Sequence, residues 1–202
     1  MTQTQAHTES DFRFGEVVEA TTTEFTTQCH ALYEAPPLGA VVKSGGDDPV
    51  YGVVAEVSTQ SIDPGRRPVA MGAGEETVEA VYNRNPQLNR LLSTEFRSLV
   101  VAHRRDGALN RYLAPRPPRI HDFVYECAPQ EVTELGGPRE FLPALLSSPI
   151  GSPDDVTASF LRRASLAHPD PRSYLVAAGK DLAALLTGQL QRLNGILRRL
   201  ST

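Results

Sequence analysis

The segment from Phe14 to Ile62 constrains the fold most, because its residue types favour β-strands almost throughout. Val, Thr, Phe and Tyr are frequent in "FGEVVEATTTEFTTQCHALYE", "AVVKS" and "VYGVVAEVSTQSI", and these residues fit a pleated, half-buried surface. The turn sequences "APPLG" and "GGDDP" separate these three predicted strands, since proline and glycine interrupt a sheet ladder. The chain is therefore expected to begin as an all-β sandwich or barrel.

The β pattern continues to about residue 135 with one interruption. A short helical insertion is predicted near residues 85–95, with Asn85 as the N-cap and Pro86 at the first helical position. "RSLVVAHRRDGALNRYLAP" then predicts two strands joined at Asp106-Gly107, and "RIHDFVYECAPQEV" predicts another. We expect six or seven strands, which form a small closed β-barrel over residues 12–135. Residues 1–11 are polar and are predicted to be a disordered tail.

Residues 136–202 are predicted to form a helical C-terminal region of two or three helices. A helix start is indicated by Ser152 as a cap and Pro153 at the first position, followed by two acidic residues. The overall class is therefore mainly β with an α-helical C-terminal region.

The last predicted helix carries a leucine stripe with a heptad-like spacing. Its members are Leu186, Leu190, Leu193, Leu197 and Leu200, which step by four and three residues alternately. Such a stripe packs either against the chain's own β-barrel or against another chain as a homo-oligomer, and the sequence leaves both open. Leu186, Leu190, Leu193 and Leu197 are accordingly candidate partner-binding residues.

The composition gives no general attraction to nucleic acid or to anionic membranes, because the formal net charge is −4 and the isoelectric point about 5.7. No apolar run reaches the length of a membrane-spanning helix, and the N-terminus lacks a signal-peptide pattern. A cytoplasmic location is the expectation that follows.

Motifs that would indicate catalysis or a cofactor are not found in the sequence. There is no P-loop, no GxGxxG, no GxSxG and no HExxH. Cys29 and His30 are neighbours on a predicted strand, where they point to opposite faces and cannot share a site. Cys127 has no second cysteine at metal-ligand spacing. We therefore expect no catalytic residues, no metal and no cofactor.

Arg66 and Arg67 are the basic residues with the best candidate position for binding. They lie in "DPGRRP", a Gly/Pro loop between predicted β elements, and loops commonly carry binding residues. An arginine side chain can donate two parallel hydrogen bonds to a carboxylate or phosphate. Both residues are candidate partner contacts.

The first part of the chain resembles the HAS barrel, the small N-terminal β-barrel of HerA-type ATPases and of the F-type ATP synthase head subunits. The similarity is carried by "RFGEVVEATTTEF", "PLGAVVKSG" and "VYGVVAEV", within about residues 13–70. The resemblance implies ring assembly or docking. It does not imply ATP hydrolysis, because no GxxxxGK[ST] follows the barrel here.

Three functional hypotheses follow from the sequence. The first is a non-enzymatic interaction or assembly module that docks onto a protein partner, such as a separately encoded HerA-like or other ring ATPase. The second is a single-stranded nucleic-acid-binding barrel, against which the acidic charge and few aromatic residues count. The third is an enzyme or small-ligand binder that uses His103, His121 or Cys127 in a cleft between barrel and helices.

Overall fold

A computed structural model describes residues 12–137 and 139–200 of the chain. The predicted disordered tail, residues 1–11, lies outside the described residues.

Seven β-strands form one antiparallel sheet. They are β1 (Arg13–Ala20), β2 (Glu24–Cys29), β3 (Val41–Ser44), β4 (Val50–Ser61), β5 (Leu92–Arg105), β6 (Ala108–Asn110) and β7 (Phe123–Glu126). Their order is β2-β1-β7-β3-β4-β5-β6, and β2 also pairs with β5. This extra pairing closes six strands into a ring, while β6 extends β5 as a short hairpin. The prediction that β structure comes first in the chain and helices follow it is confirmed.

The first β segment contains two strands, so its prediction as a single strand is wrong. Thr21 folds the chain back between β1 and β2: its side-chain oxygen accepts hydrogen bonds from the backbone N–H groups of Thr23 and Glu24 at 3.2 and 3.1 Å. Short hydroxyl side chains stabilise turns in this way. The threonines that favour β-strand by composition therefore also supply the turn.

Side chains on the inner face of the ring form their own core. Val17, Phe25, Val54, Phe96 and Val124 are each at most 1% exposed. Gly52 leaves room for this packing, because a Cβ there would lie 2.8 Å from both the Phe25 ring and the Ser98 Cβ. The alternation of strand side chains places the other faces of β3, β4 and β5 outward.

Two short helices lie between β4 and β5: α1 (Val78–Arg84) and α2 (Leu88–Leu91). The predicted role of Asn85 is wrong, because Asn85 caps the end of α1 and does not start a helix. Its side-chain amide donates to the Val81 carbonyl at 2.9 Å. The start of α1 is capped by Thr77, which accepts from the Ala80 N–H at 3.2 Å.

Five helices follow β7 among the described residues, so the expected two or three are too few. They are α3 (Pro129–Gly136), α4 (Leu142–Leu146), α5 (Pro153–Ala167), α6 (Pro171–Leu185) and α7 (Leu190–Leu200). The predicted start of α5 is confirmed, with Ser152 at the N-cap and Pro153 first.

The leucine stripe does not lie on one helix, because the chain turns between α6 and α7. Gly188 adopts φ +82° in this turn, a left-handed conformation that glycine tolerates best. Leu186 therefore caps α6, and Leu190 begins α7. Helix α7 folds back onto α5, where Arg192 donates to Asp154 at 2.7 Å and Arg199 pairs with Asp155.

The C-terminal helices pack on the outer face of β3, β4 and β5. Tyr51, Val53 and Ala55 of β4 share one buried cluster with Phe160 and Leu161 of α5. This cluster joins the ring to the helices through side chains that are almost fully removed from water. Burial of apolar area on this scale is the dominant favourable term in folding.

Candidate interaction surface

Strands β4 and β5 continue past the ring as a two-stranded arm. Strand β3 pairs with β4 only as far as Val53, and β2 pairs with β5 only from Glu95 onward. Residues 59–61 and 92–94 therefore pair with each other without a third strand. The loop and the helices α1 and α2, residues 62–91, form the tip of this arm.

Hydrogen bonds between side chains and backbone fix the arm to the ring. The Thr94 hydroxyl accepts from the Tyr33 backbone N–H at 2.8 Å and lies 2.8 Å from the Thr59 hydroxyl. The hydroxyl of Tyr33 also bonds to that of Tyr82 in α1. This bond, together with burial, raises the pKa of Tyr82 to about 12. Helix α1 is thereby tied to the chain that precedes β3.

A pocket of about 320 Å³ opens at the tip, and we name it the tip pocket. Its lining is mostly aliphatic. It is lined by Ser61, Ile62, Asp63, Arg66, Arg67, Pro68, Val69, Met71, Leu88, Arg90, Leu91 and Leu92.

Large apolar side chains around the tip pocket are exposed to solvent. The exposed fraction is 74% for Val69, 54% for Ile62, 48% for Leu91 and 45% for Met71. Single exposed apolar residues are ordinary on protein surfaces, whereas several around one concavity indicate an interaction site.

Three arginines also line the tip pocket, and two of them are the predicted candidates Arg66 and Arg67. Arg66 reaches Asp63 at 3.7 Å, with the two side chains 80% and 62% exposed. Within the described residues, Arg67 and Arg90 form no ion pair with a carboxylate. Arg90 was not predicted, because its place at the pocket depends on the fold of α2.

A second concavity, the interface pocket, lies between the ring and the helices. It has a volume of about 360 Å³. It is lined by Ala40, Val41, Glu126, Cys127, Pro129, Val132, Arg163, Leu166 and Ala167. The hypothesis of an enzyme or small-ligand binder expects a cleft between barrel and helices, and the interface pocket lies there. Cys127 lies in the wall of this pocket and is 6% exposed.

The three residues named by the hypothesis of an enzyme or small-ligand binder have different neighbours. These residues are His103, His121 and Cys127. The Nδ1 of His103 lies 3.2 Å from the carbonyl oxygen of Tyr112, and His103 pairs with Asn110 at the end of β6. The Nδ1 of His121 lies 2.9 Å from the Glu16 carboxylate. Cys127 packs in the cluster that joins ring and helices. Neither histidine lines the interface pocket.

Cys29 and His30 also have separate surroundings. Burial raises the pKa of the Cys29 thiol to about 11, with smaller contributions from Glu95 and Glu34, so this thiol is protonated at neutral pH. The Nε2 of His30 lies 3.2 Å from Glu16. Glu16 thus contacts both His121 and His30, and these hydrogen bonds lower the pKa of its carboxyl.

The four candidate leucines do not form an exposed seam. Leu186 is 3% exposed and belongs to the core, whereas Leu190 is 67% exposed. Leu193 packs against the core from its edge, and Leu197 is half-buried near Gly179. The largest apolar contribution of α7 to the core is Ile196, which is fully buried.

Over the described ranges 12–137 and 139–200, no group of three or more His, Cys, Asp or Glu side chains has an arrangement that could hold a metal ion. No helix in the same part of the chain is long and apolar enough to span a membrane.

Sequence reasoning missed the apolar residues of the tip pocket. Ile62, Val69, Met71 and Leu91 are scattered through a Gly/Pro-rich loop and a four-residue helix, so they show no strand or helix period. The sequence feature that could have indicated them is the presence of Ile62, Val69 and Met71 in "SIDPGRRPVAMG". This segment has a turn-forming composition and cannot bury large apolar side chains locally.

No protein-family model matches the chain, and no curated protein is significantly similar to it.

Proposed function

We propose that this chain is a non-enzymatic interaction module that docks onto a protein partner through the tip pocket. The ring and the C-terminal helices serve as the scaffold that holds the arm. The partner we propose is a separately encoded ring ATPase of the HerA-like kind or of another kind.

The observation that carries this proposal is the combination of exposed apolar side chains and arginines at one concavity. Val69 and Ile62 are more than half exposed, although the core of the same chain buries residues of these types almost completely. Arginine and methionine are enriched at protein interfaces, and the fully buried centre of an interface is more apolar than the rest of the protein surface. A surface of this kind gains stability when a partner covers it.

The resemblance to the HAS barrel supports the kind of partner. Its proposed segments correspond to β1 through β4, four of the six strands in the closed ring. In the families that carry this barrel, it serves assembly or docking. We extend that role to this chain, with the ring taken as a HAS-like barrel.

The test compares partner retention between two double variants expressed in the cells from which the gene comes. V69D/L91D places charges in the tip pocket, and V176D/L185D places them at exposed apolar positions on α6, 54% and 43% exposed. Proteins that co-purify with the wild type are quantified by mass spectrometry. We expect at least one to fall about tenfold with V69D/L91D and to be retained with V176D/L185D. Equal retention by both variants would contradict the proposal.

One observation favours a second candidate, binding of single-stranded nucleic acid on the outer face of β1 and β7. Phe123 is 40% exposed there, and the Arg13 guanidinium lies 4.6 Å from the centre of its ring. Exposed rings beside cations can stack bases. A labelled dT15 oligonucleotide should then bind with an affinity that falls steeply with salt and is lost in F123A. Absence of binding at low salt would remove this candidate.

A further inference from the structure

The arginines of the tip pocket differ from those that stabilise the fold. Arg104, Arg139 and Arg192 each donate to a carboxylate of another element at 2.7 Å. Among the residues that the structure describes, the Arg66 side chain has only the long contact with Asp63, and the Asp63 carboxylate also accepts from the Gly65 N–H at 2.9 Å. The tip pocket therefore carries positive charge that the surrounding carboxylates do not fully neutralise.

The wall of the tip pocket selects an aliphatic or single-ring side chain. It is formed by Ile62, Val69, Met71, Leu88 and Leu91, and none of its lining residues is aromatic. Its volume of about 320 Å³ is at the lower end of the range for ligand pockets. It suits one or two bulky side chains better than a large cofactor.

These two properties favour an acidic protein segment over the other occupants. A nucleic-acid strand would need rings on which its bases stack, and the lining provides none. A second copy of this chain, joined symmetrically at the tip, would bring both sets of arginines into one small interface, since such an interface uses the same patch twice. A carboxylate-bearing segment complements the arginines directly.

We infer that the tip pocket binds a short acidic segment of the partner. A bulky apolar side chain of that segment enters the cavity between Val69 and Leu91, and flanking Asp or Glu side chains contact Arg66, Arg67 and Arg90. This inference rests on the proposed function, since it specifies the chemistry of the docked partner.

The experiment selects peptides from a random twelve-residue phage library on the immobilised full-length chain. Three forms of the protein are compared: wild type, R66A/R67A/R90A, and the matched control R116A/R119A/R172A. The control removes three exposed arginines that do not line the tip pocket. Circular dichroism melting first checks that all three are folded.

On the wild type and the control, we expect enrichment of peptides with several Asp or Glu residues around one Leu, Ile, Met or Phe. The strongest of these peptides should bind R66A/R67A/R90A about tenfold more weakly in fluorescence polarisation, as expected for the loss of several exposed charge contacts. Its affinity for the wild type should also fall with added salt. The variant V69S should weaken binding without changing the salt dependence.

The outcomes separate this inference from the proposed function. Peptides without acidic bias that still need Val69 would overturn the acidic segment and leave docking at the tip intact. Failure to select any peptide, or selection of the same peptides by R66A/R67A/R90A, would also overturn the inference. A dT15 oligonucleotide that binds the wild type but not R66A/R67A/R90A would replace it with nucleic-acid binding. The proposed function is tested separately, and it fails if V69D/L91D retains the co-purified proteins as well as its control variant does.

Discussion

The contact between ring and helices and the tip of the arm use similar residue types in opposite ways. At the contact, Val53 and Leu142 are fully buried, and Arg104 of β5 donates to Glu134 of α3 at 2.7 Å. At the tip, Val69 is 74% exposed, and within the described residues Arg67 makes no ion pair. Apolar and arginine side chains that stabilise the fold in one region are available to a partner in the other.

The largest expected difference between the two regions comes from removing an apolar side chain. Phe160 is fully buried and packs edge-on against Phe141, with ring centres 5.3 Å apart. We expect F160A to lower the free energy of unfolding by about 3–5 kcal/mol, measured by urea denaturation. V69A at the tip should change it by less than about 0.5 kcal/mol. Similar losses of unfolding free energy in F160A and V69A would contradict the distinction between a buried scaffold and an exposed binding surface.

A second prediction concerns the close approach between ring and helices at Gly39. Gly39 has φ +77°, and a Cβ there would lie 2.4 Å from the Phe160 backbone nitrogen. We expect G39A to cost about 2–3 kcal/mol of unfolding free energy, because backbone strain adds to overpacking.

Gly188 provides the matched control for that substitution. It has φ +82°, but no atom lies within 4 Å of the position of its Cβ. G188A should therefore lower the free energy of unfolding by about 1 kcal/mol, which is the cost of backbone strain without overpacking. Equal losses in G39A and G188A would mean that the helices do not approach the loop before β3 as closely as described.

The two kinds of arginine should also separate experimentally. The Arg139 side chain is 13% exposed and donates to Asp181 at 2.7 Å and to the Gly136 carbonyl at 3.3 Å. R139A should cost about 1.5 kcal/mol in thermal or urea unfolding. R67A should leave stability unchanged and weaken only partner binding. Destabilisation by R67A would show that it has a structural role.

The smallest effect is expected at the exposed pair Asp155–Arg199. A hydrogen bond from Ser152, followed by one from Arg199, lowers the pKa of the Asp155 carboxyl. Because the pKa of this carboxyl is lower in the folded state than in the unfolded state, the ionised carboxyl stabilises the fold at pH values above the unfolded-state pKa. This stabilisation is lost as the pH falls through the folded-state pKa. Both partners are more than 40% exposed, so screening limits the effect to about 0.5 kcal/mol.

Unfolding of D155N should therefore differ from wild type by that amount at pH 7, and the difference should shrink below about pH 4. D47N, in the exposed turn before β4, serves as the control with no expected change. A difference that persists unchanged in acid would show that the carboxylate charge is not its cause.

The sequence predicted the ring and the start of α5 better than it predicted the tip of the arm. Alternating Val and Thr residues, together with the Asp106-Gly107 turn, predict strands because their preferences are local. The start of α5 was predictable for the same reason, from Ser152 and Pro153. The turn at Thr21 and the break at Gly188 were missed, because threonine is also a strand residue and a lone glycine is tolerated in helices.

At the tip, the sequence predicted Arg66 and Arg67 as candidate contacts from their loop, and it did not indicate the apolar residues beside them. Leu91 joins Ile62 only because β4 and β5 pair along the arm, with Ser61 opposite Leu92. That juxtaposition depends on register, which the composition of the intervening residues does not reveal. Leucine spacing predicted one helical stripe that packs either on the chain's own barrel or on another chain, whereas the fold divides the stripe between α6 and α7, buries Leu186 and exposes Leu190.

The most direct test of the central claim is photo-crosslinking in the cells from which the gene comes. A benzophenone amino acid replaces Val69 at the tip pocket in one variant and the exposed Val176 of α6 in the other. The account predicts a discrete crosslinked adduct with the partner from position 69 and none from position 176. No adduct from position 69, or the same adduct from both positions, would contradict docking at the tip.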